Sequence, residues 1–178
     1  MSGNHSELKP AVGPNDHVQG RDDAPITLVE YGDYECPYCG MAYPIVKRIQ
    51  ARLGDRLRFV FRNFPLAEAH PHATAAAELA EAAASQGKFW EMHDMLYEHQ
   101  NALGAKDLER YAKALELDRA ALEATRAGGA PNQRVRGDFM SGVRSGVNGT
   151  PAFFINGRRF DGDWRDAEIF AEELESRT

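Results

Sequence analysis

Cysteine is nearly missing from this chain: 178 residues hold only two. That excludes a small scaffold stapled by several disulfides. Long apolar runs are missing too. None approaches ~18 residues, so no membrane-spanning helix and no membrane insertion are expected. The N-terminus lacks a basic end followed by an apolar stretch, so no signal peptide is expected and the chain as written reads as cytoplasmic. If a leader had been trimmed, the same chain would belong to the periplasm or another extracytoplasmic space. Positive charge is also short. The net charge is −6 and the pI about 5.5, which argues against a nucleic-acid partner. What remains is a chain with 43% hydrophobic residues, enough for the core of one domain carrying a large insertion.

The two cysteines stand three apart, in Glu35-Cys36-Pro37-Tyr38-Cys39-Gly40. Thiols at that spacing can close a disulfide, ligate a metal, or sit inert. Upstream, Ile26-Thr27-Leu28-Val29-Glu30-Tyr31 reads as a buried strand. Downstream, Ala42, Ile45, Val46, Ile49 and Leu53 share one face of a helix. The pair therefore opens a helix just after a core strand. Unpaired N–H groups and a partial positive charge at such an end favour a thiolate. A closed zinc site would need four ligands, and no second cysteine pair exists. His70-Pro71-His72 could complete one only through the tertiary fold. No metal and no other cofactor is expected.

In chain order, residues 1–15 read as a flexible N-terminal arm, rich in polar residues with Gly3, Pro10, Gly13 and Pro14. Residues 16–65 form one unit: a short edge strand near Asp16–Gln19, the core strand, the helix with Pro44 inside it, and a second strand over Leu57–Arg62. Residues 66–147 turn helical. Ala73 to Ala84 is alanine-rich. Phe89, Met92, His93 and Leu96 share a face, as do Leu108, Tyr111, Ala112 and Leu115. Asp118 is placed to cap a fourth helix, and a fifth turns Val135, Phe139 and Val143 inward. Residues 148–178 hold Thr150-Pro151, the strand Ala152–Ile155, an Asn156-Gly157 hairpin turn and a last helix capped by Asp163.

This order resembles the thioredoxin fold, an α/β architecture with a central mixed sheet flanked by helices, here with an inserted helical subdomain. More narrowly the chain resembles the DsbA-like thiol-disulfide oxidoreductases. The likeness rests on Val29-Glu30-Tyr31-Gly32-Asp33-Tyr34-Glu35-Cys36-Pro37-Tyr38-Cys39 and on Gly146-Val147-Asn148-Gly149-Thr150-Pro151-Ala152-Phe153-Phe154-Ile155-Asn156-Gly157. It covers about residues 16 to 176.

The resemblance implies that Cys36 is the nucleophile and Cys39 resolves the mixed disulfide. Asp33 and Glu35 would oppose the Cys36 thiolate if they lie close. Pro37 and Tyr38 would tune the redox potential. With no histidine between the thiols, the couple should be less oxidising than DsbA at about −120 mV. Proline at a helix start is also ordinary helix chemistry. Glu30 would be a buried acid that exchanges a proton with Cys39, its pKa raised by burial. The alternative is a strand-end glutamate reaching solvent. Pro151 would be cis, and Thr150 would offer its backbone to an extended substrate. Four histidines (His70, His72, His93 and His99) read as helix-end or core residues, Arg134, Arg136 and Arg144 as a solvated face, and Phe89-Trp90 as insertion core.

The expected activity is thiol–disulfide exchange with protein or peptide thiols and disulfides, recycled by a redox partner or glutathione. Direction is open. Two other classes compete: a glutathione transferase of the kappa type, and a non-catalytic thioredoxin-fold module that holds a partner, for instance a membrane transporter.

Overall fold

The computed structural model describes residues 6–177. Five strands form one sheet: β1 (His17–Gln19), β2 (Ile26–Gly32), β3 (Leu57–Asn63), β4 (Ala152–Ile155) and β5 (Arg158–Phe160). Their order is β1-β3-β2-β4-β5. β2 and β3 run parallel, and the other neighbours run antiparallel. The sheet is mixed, as expected. Helix α1 (Pro37–Leu53) makes the crossover between the parallel pair. Helices α2 (Ala73–Ala84), α3 (Phe89–Glu98), α4 (Ala105–Ala114), α5 (Arg119–Ala127) and α6 (Ala130–Arg144) fill the span between β3 and β4, and α7 (Ala167–Glu175) follows the hairpin.

Strand β2 is central, and its alternation splits the core in two. Ile26 and Leu28 face a large cluster built with α1, α2, α3 and α7. Val29 and Tyr31 face a smaller one with Val60, Phe64, Phe154 and the flank of α6. The alanines of α2 let it pack closely, and six of them are buried. Phe89 and Trp90 belong to this packing, with Phe89 stacked on His17 at 3.5 Å between ring centroids. Asp118 caps α5 by accepting the Ala121 N–H at 2.7 Å.

Three expectations need correction. Residues 6–15 are not a free arm. Leu8 is buried and its N–H donates to the Gly157 carbonyl, Glu7 bridges to Arg158, and the Lys9 N–H donates to Ser145 Oγ. Residues 1–5 of that arm lie outside the described residues. Val143 does not point inward; it is half exposed. α6 presses so close to the sheet that a Cβ on Gly142 would sit 2.6 Å from the Phe64 ring, so the inward line runs through Val135, Asp138 and Gly142. Asp163 does not cap α7. Asp166 does, accepting from the N–H groups of Glu168 and Ile169.

Arg62 on β3 ties the N-terminal segment down. Its guanidinium donates to both carboxylate oxygens of Asp16, to the carbonyls of Pro10 and Ala11, and to Tyr31 Oη. Both members of the Arg62–Asp16 pair are nearly out of solvent. Arg62→Ala is expected to cost about 3–5 kcal/mol in urea denaturation, because it strands a buried carboxylate. It should also open residues 6–16 to proteolysis.

Candidate active site

The site is assembled at the C-terminal end of β2. Cys36 is the N-cap of α1, and Pro37 and Tyr38 take the first helical positions. Cys39 lies one turn further in, fully buried, while Cys36 is 3% exposed. Both thiols are free. The Cys36 thiol donates to the Thr150 carbonyl at 3.5 Å. The Thr150–Pro151 peptide is cis, as the resemblance implied. Strand β4 pairs with β2 directly after that peptide, so the two segments meet although 114 residues separate them.

The two thiols have opposite electrostatics. A hydrogen bond from the Cys39 thiol pulls the Cys36 pKa down to about 5, against the penalty of burial. The Thr150 side chain and the backbone N–H groups of Cys39 and Tyr38 add to the lowering. Burial pushes the Cys39 thiol well up, and so do its bond to Cys36 and the charges of Glu30 and Cys36. The arrangement holds a thiolate on Cys36 and a thiol on Cys39 at neutral pH.

Glu30 faces the same side of the sheet as Leu28, between Phe61 on β3 and Phe153 on β4. It does not reach solvent: it is 3% exposed, and Oε1 has no hydrogen-bond partner. Burial first, then the Cys36 charge, raises its pKa to about 8. A neutral carboxyl beneath the thiols follows, because an unpaired buried carboxylate is costly.

Around this centre lie Asp33, Glu35, His70 and His72, whose pairing sequence reasoning did not foresee, and Gln100, which it left aside. The buried Asp33 accepts from the Glu35 N–H (2.8 Å), the Leu66 N–H (2.9 Å) and His70 Nδ1 (2.8 Å). Its own N–H donates to Cys39 Sγ at 3.5 Å. Glu35 pairs with His72 at 2.8 Å. Gln100 Nε2 donates to the carbonyls of Tyr34 and Cys36, and a Cβ on Gly40 would lie 2.2 Å from Gln100 Oε1. The matched spacing of Asp33/Glu35 and His70/His72 was visible in the sequence, but their pairing across 37 residues was not. Those bonds give the two loop histidines carboxylate partners. No group of three or more His, Cys, Asp or Glu among the described residues is placed to hold a metal ion. His93 is a core residue, its ring among Tyr34, Phe61 and Tyr97. Arg134 is not simply solvated, since it pairs with Asp138 and donates to the Asn15 carbonyl.

A family model described as thioredoxin matches residues 13–172. The chain belongs to the thioredoxin family. Its fold is that of the DsbA-like members, with the helical insertion between β3 and β4. BdbD from Bacillus subtilis superposes with a TM-score of 0.81 at 24% identity, covering 98% of each chain. A thioredoxin-like oxidoreductase from Silicibacter pomeroyi gives 0.79 at 25% identity, covering 93% of this chain and 95% of that one. Among curated relatives, a protein named Na(+)/H(+) antiporter NhaA 3 from Salinispora tropica is 46% identical over 159 residues. That match takes in 89% of this thioredoxin-family chain and 24% of the antiporter, so the chain spans about a quarter of that relative's length. No helix among the described residues is long and apolar enough to cross a membrane.

Two outcomes test the electrostatics. Thiolate absorbance near 240 nm should titrate with a midpoint of about 5 in the parent. Cys39→Ala should move it up by at least about one unit, since the largest lowering contact is gone. For Glu30, a raised folded pKa stabilises the fold below the unfolded value of 4.5, and that stability is lost as pH rises through about 8. Glu30→Gln should therefore gain up to roughly 4 kcal/mol on the reduced parent between about pH 5 and about pH 8.5 in urea denaturation. An unchanged difference across that range would remove Glu30 from the buried-acid role.

Proposed function

We propose that this protein catalyses thiol–disulfide exchange with other proteins through Cys36 and Cys39. The observation that carries the reading is the Cys36 thiol at the start of α1, with its pKa held down at about 5 and Cys39 buried behind it. In the oxidising direction, a substrate thiolate attacks Cys36 of the enzyme disulfide. The S–S bond breaks, a mixed disulfide forms on Cys36, and Cys39 leaves and takes a proton from Glu30. A second substrate thiolate then attacks the substrate sulfur of the mixed disulfide and releases Cys36 as thiolate. The substrate leaves as a disulfide, and the enzyme keeps the two electrons. The reducing direction is the reverse.

Thr150 and the cis Pro151 offer a backbone edge for an extended client segment beside Cys36. Tyr38 and Met41, each about half exposed on the first turns of α1, add apolar contact suited to unfolded clients. Pro37 and Tyr38 leave the Cys36 thiolate to the Cys39 thiol and to backbone donors rather than to an intervening cation. A thiolate this stable favours the reduced enzyme, so the couple lies above thioredoxin at about −270 mV and below DsbA at about −120 mV. Such a couple suits an extracytoplasmic oxidant or isomerase, recycled by a redox partner or by glutathione. Nothing in the site favours the kappa-type transferase.

The antiporter relatives favour a second reading of the partner: the domain works beside a membrane transporter and exchanges disulfides with it.

Equilibration of the parent with glutathione buffers tests the first reading. A reversible Cys36–Cys39 disulfide with a potential between those limits is expected, and no reversible disulfide would sink it. Cys36→Ser should abolish insulin reduction and oxidation of reduced ribonuclease, by at least about a thousandfold. Cys39→Ser should accumulate mixed disulfides with clients. Mass spectrometry of the trapped clients tests the second reading: membrane transporters support it, and soluble proteins alone would remove it.

A further inference from the structure

The dipeptide between the thiols carries no cation, yet the turn before Cys36 is pinned by two histidines from the loop after β3. His70 Nδ1 donates to Asp33 Oδ2 at 2.8 Å, and His72 Nδ1 donates to Glu35 Oε1 at 2.8 Å. Asp33 is the hub. Its carboxylate is fully buried, its carbonyl accepts the Cys36 N–H at 3.2 Å, and its own N–H reaches Cys39 Sγ. A buried carboxylate next to a thiolate repels it. A cation seated on that carboxylate offsets the repulsion. His70 is the one placed there, with its side chain 19% exposed and so open to solvent protons.

We propose that His70 is a positioning residue that, held by Asp33, supplies the positive charge facing the Cys36 thiolate and takes up a proton when the disulfide is reduced. This rests on the exchange activity proposed above. The groups facing His70 are Asp33, Glu35 and Cys36, all on the turn that starts α1, with His72 engaged by Glu35. Burial opposes the His70 charge, and the Asp33 hydrogen bond and the charges of Asp33, Cys36 and Glu35 more than offset it, so its pKa is raised. On oxidation of a client, two client thiols become one disulfide and release two electrons and two protons. The electrons break the Cys36–Cys39 bond. One proton goes to Cys39, Cys36 stays a thiolate, and the second proton goes to His70. Linkage requires that the thiolate raise the His70 pKa by as much as His70 protonation lowers the Cys36 pKa.

The test follows the His70 imidazole by NMR pH titration in the reduced parent, the oxidised parent and Cys36→Ser. The expected result is a higher midpoint in the reduced parent than in the other two, by about half to one unit. In the reduced protein, His70→Gln should raise the Cys36 midpoint by the same amount, and the glutathione equilibrium should shift three- to tenfold toward the disulfide. His70→Lys should keep the low Cys36 midpoint, which a purely structural role of the imidazole would not allow. Equal His70 midpoints in all three proteins, or a Cys36 midpoint unmoved in His70→Gln, would overturn the proposal. The Cys36→Ser comparison reads the coupling even if no reversible disulfide forms. That separates its failure from failure of the exchange reading.

Discussion

The pairing of β4 against β2 is the constraint on which the site depends. Leu28 opposite Ile155 and Tyr31 opposite Ala152 fix the register, and a slip of one residue would turn every side chain to the other face. In this register the chain just before β4 passes the start of α1, and the Thr150 carbonyl meets the Cys36 thiol. The same register sets Phe153 beside Glu30. One ladder thus fixes both the backbone carbonyl beside Cys36 and the apolar wall that keeps the acid neutral.

Charge at the site is arranged in layers. Backbone N–H groups at the helix start and the Cys39 thiol favour negative charge on Cys36. Beneath them, Glu30 is desolvated and holds its proton near neutral pH. Beside them, Asp33 is desolvated too, but it accepts three hydrogen bonds, from two backbone N–H groups and His70. The contrast between these two buried acids is chemical. Glu30 has an oxygen without a partner, and in the exchange proposed above it is the proton donor to Cys39. Asp33 is saturated with donors and serves as an anchor.

The helical insertion does more than cover the sheet. It contributes Gln100, which holds the Tyr34 and Cys36 carbonyls, and His93, whose Nδ1 meets Tyr34 Oη. α6 closes the other face through Gly142 and supplies Asp138 to the Asn63 N–H and side-chain amide. The loop between β3 and α2 brings His70 and His72. The turn that starts α1 is therefore fixed from the insertion side as well as from the sheet.

The sequence by itself determined the elements and the reactive pair. Apolar periodicity marked β2, α1 and β3, Asn156-Gly157 marked the hairpin, and Cys36-Pro37-Tyr38-Cys39 at a strand-to-helix junction marked the thiols, because these signals act over a few neighbouring residues. Glu30 was legible as an acid in an apolar strand. Tertiary structure alone decided which carboxylate His70 meets, that Gln100 holds the Cys36 carbonyl, and that Leu8 is buried rather than free. It also decided that Val143 faces outward. The physical reason is common to all four. Each depends on how closely two segments distant in sequence approach, and that distance is set by packing across the whole core rather than by any local pattern.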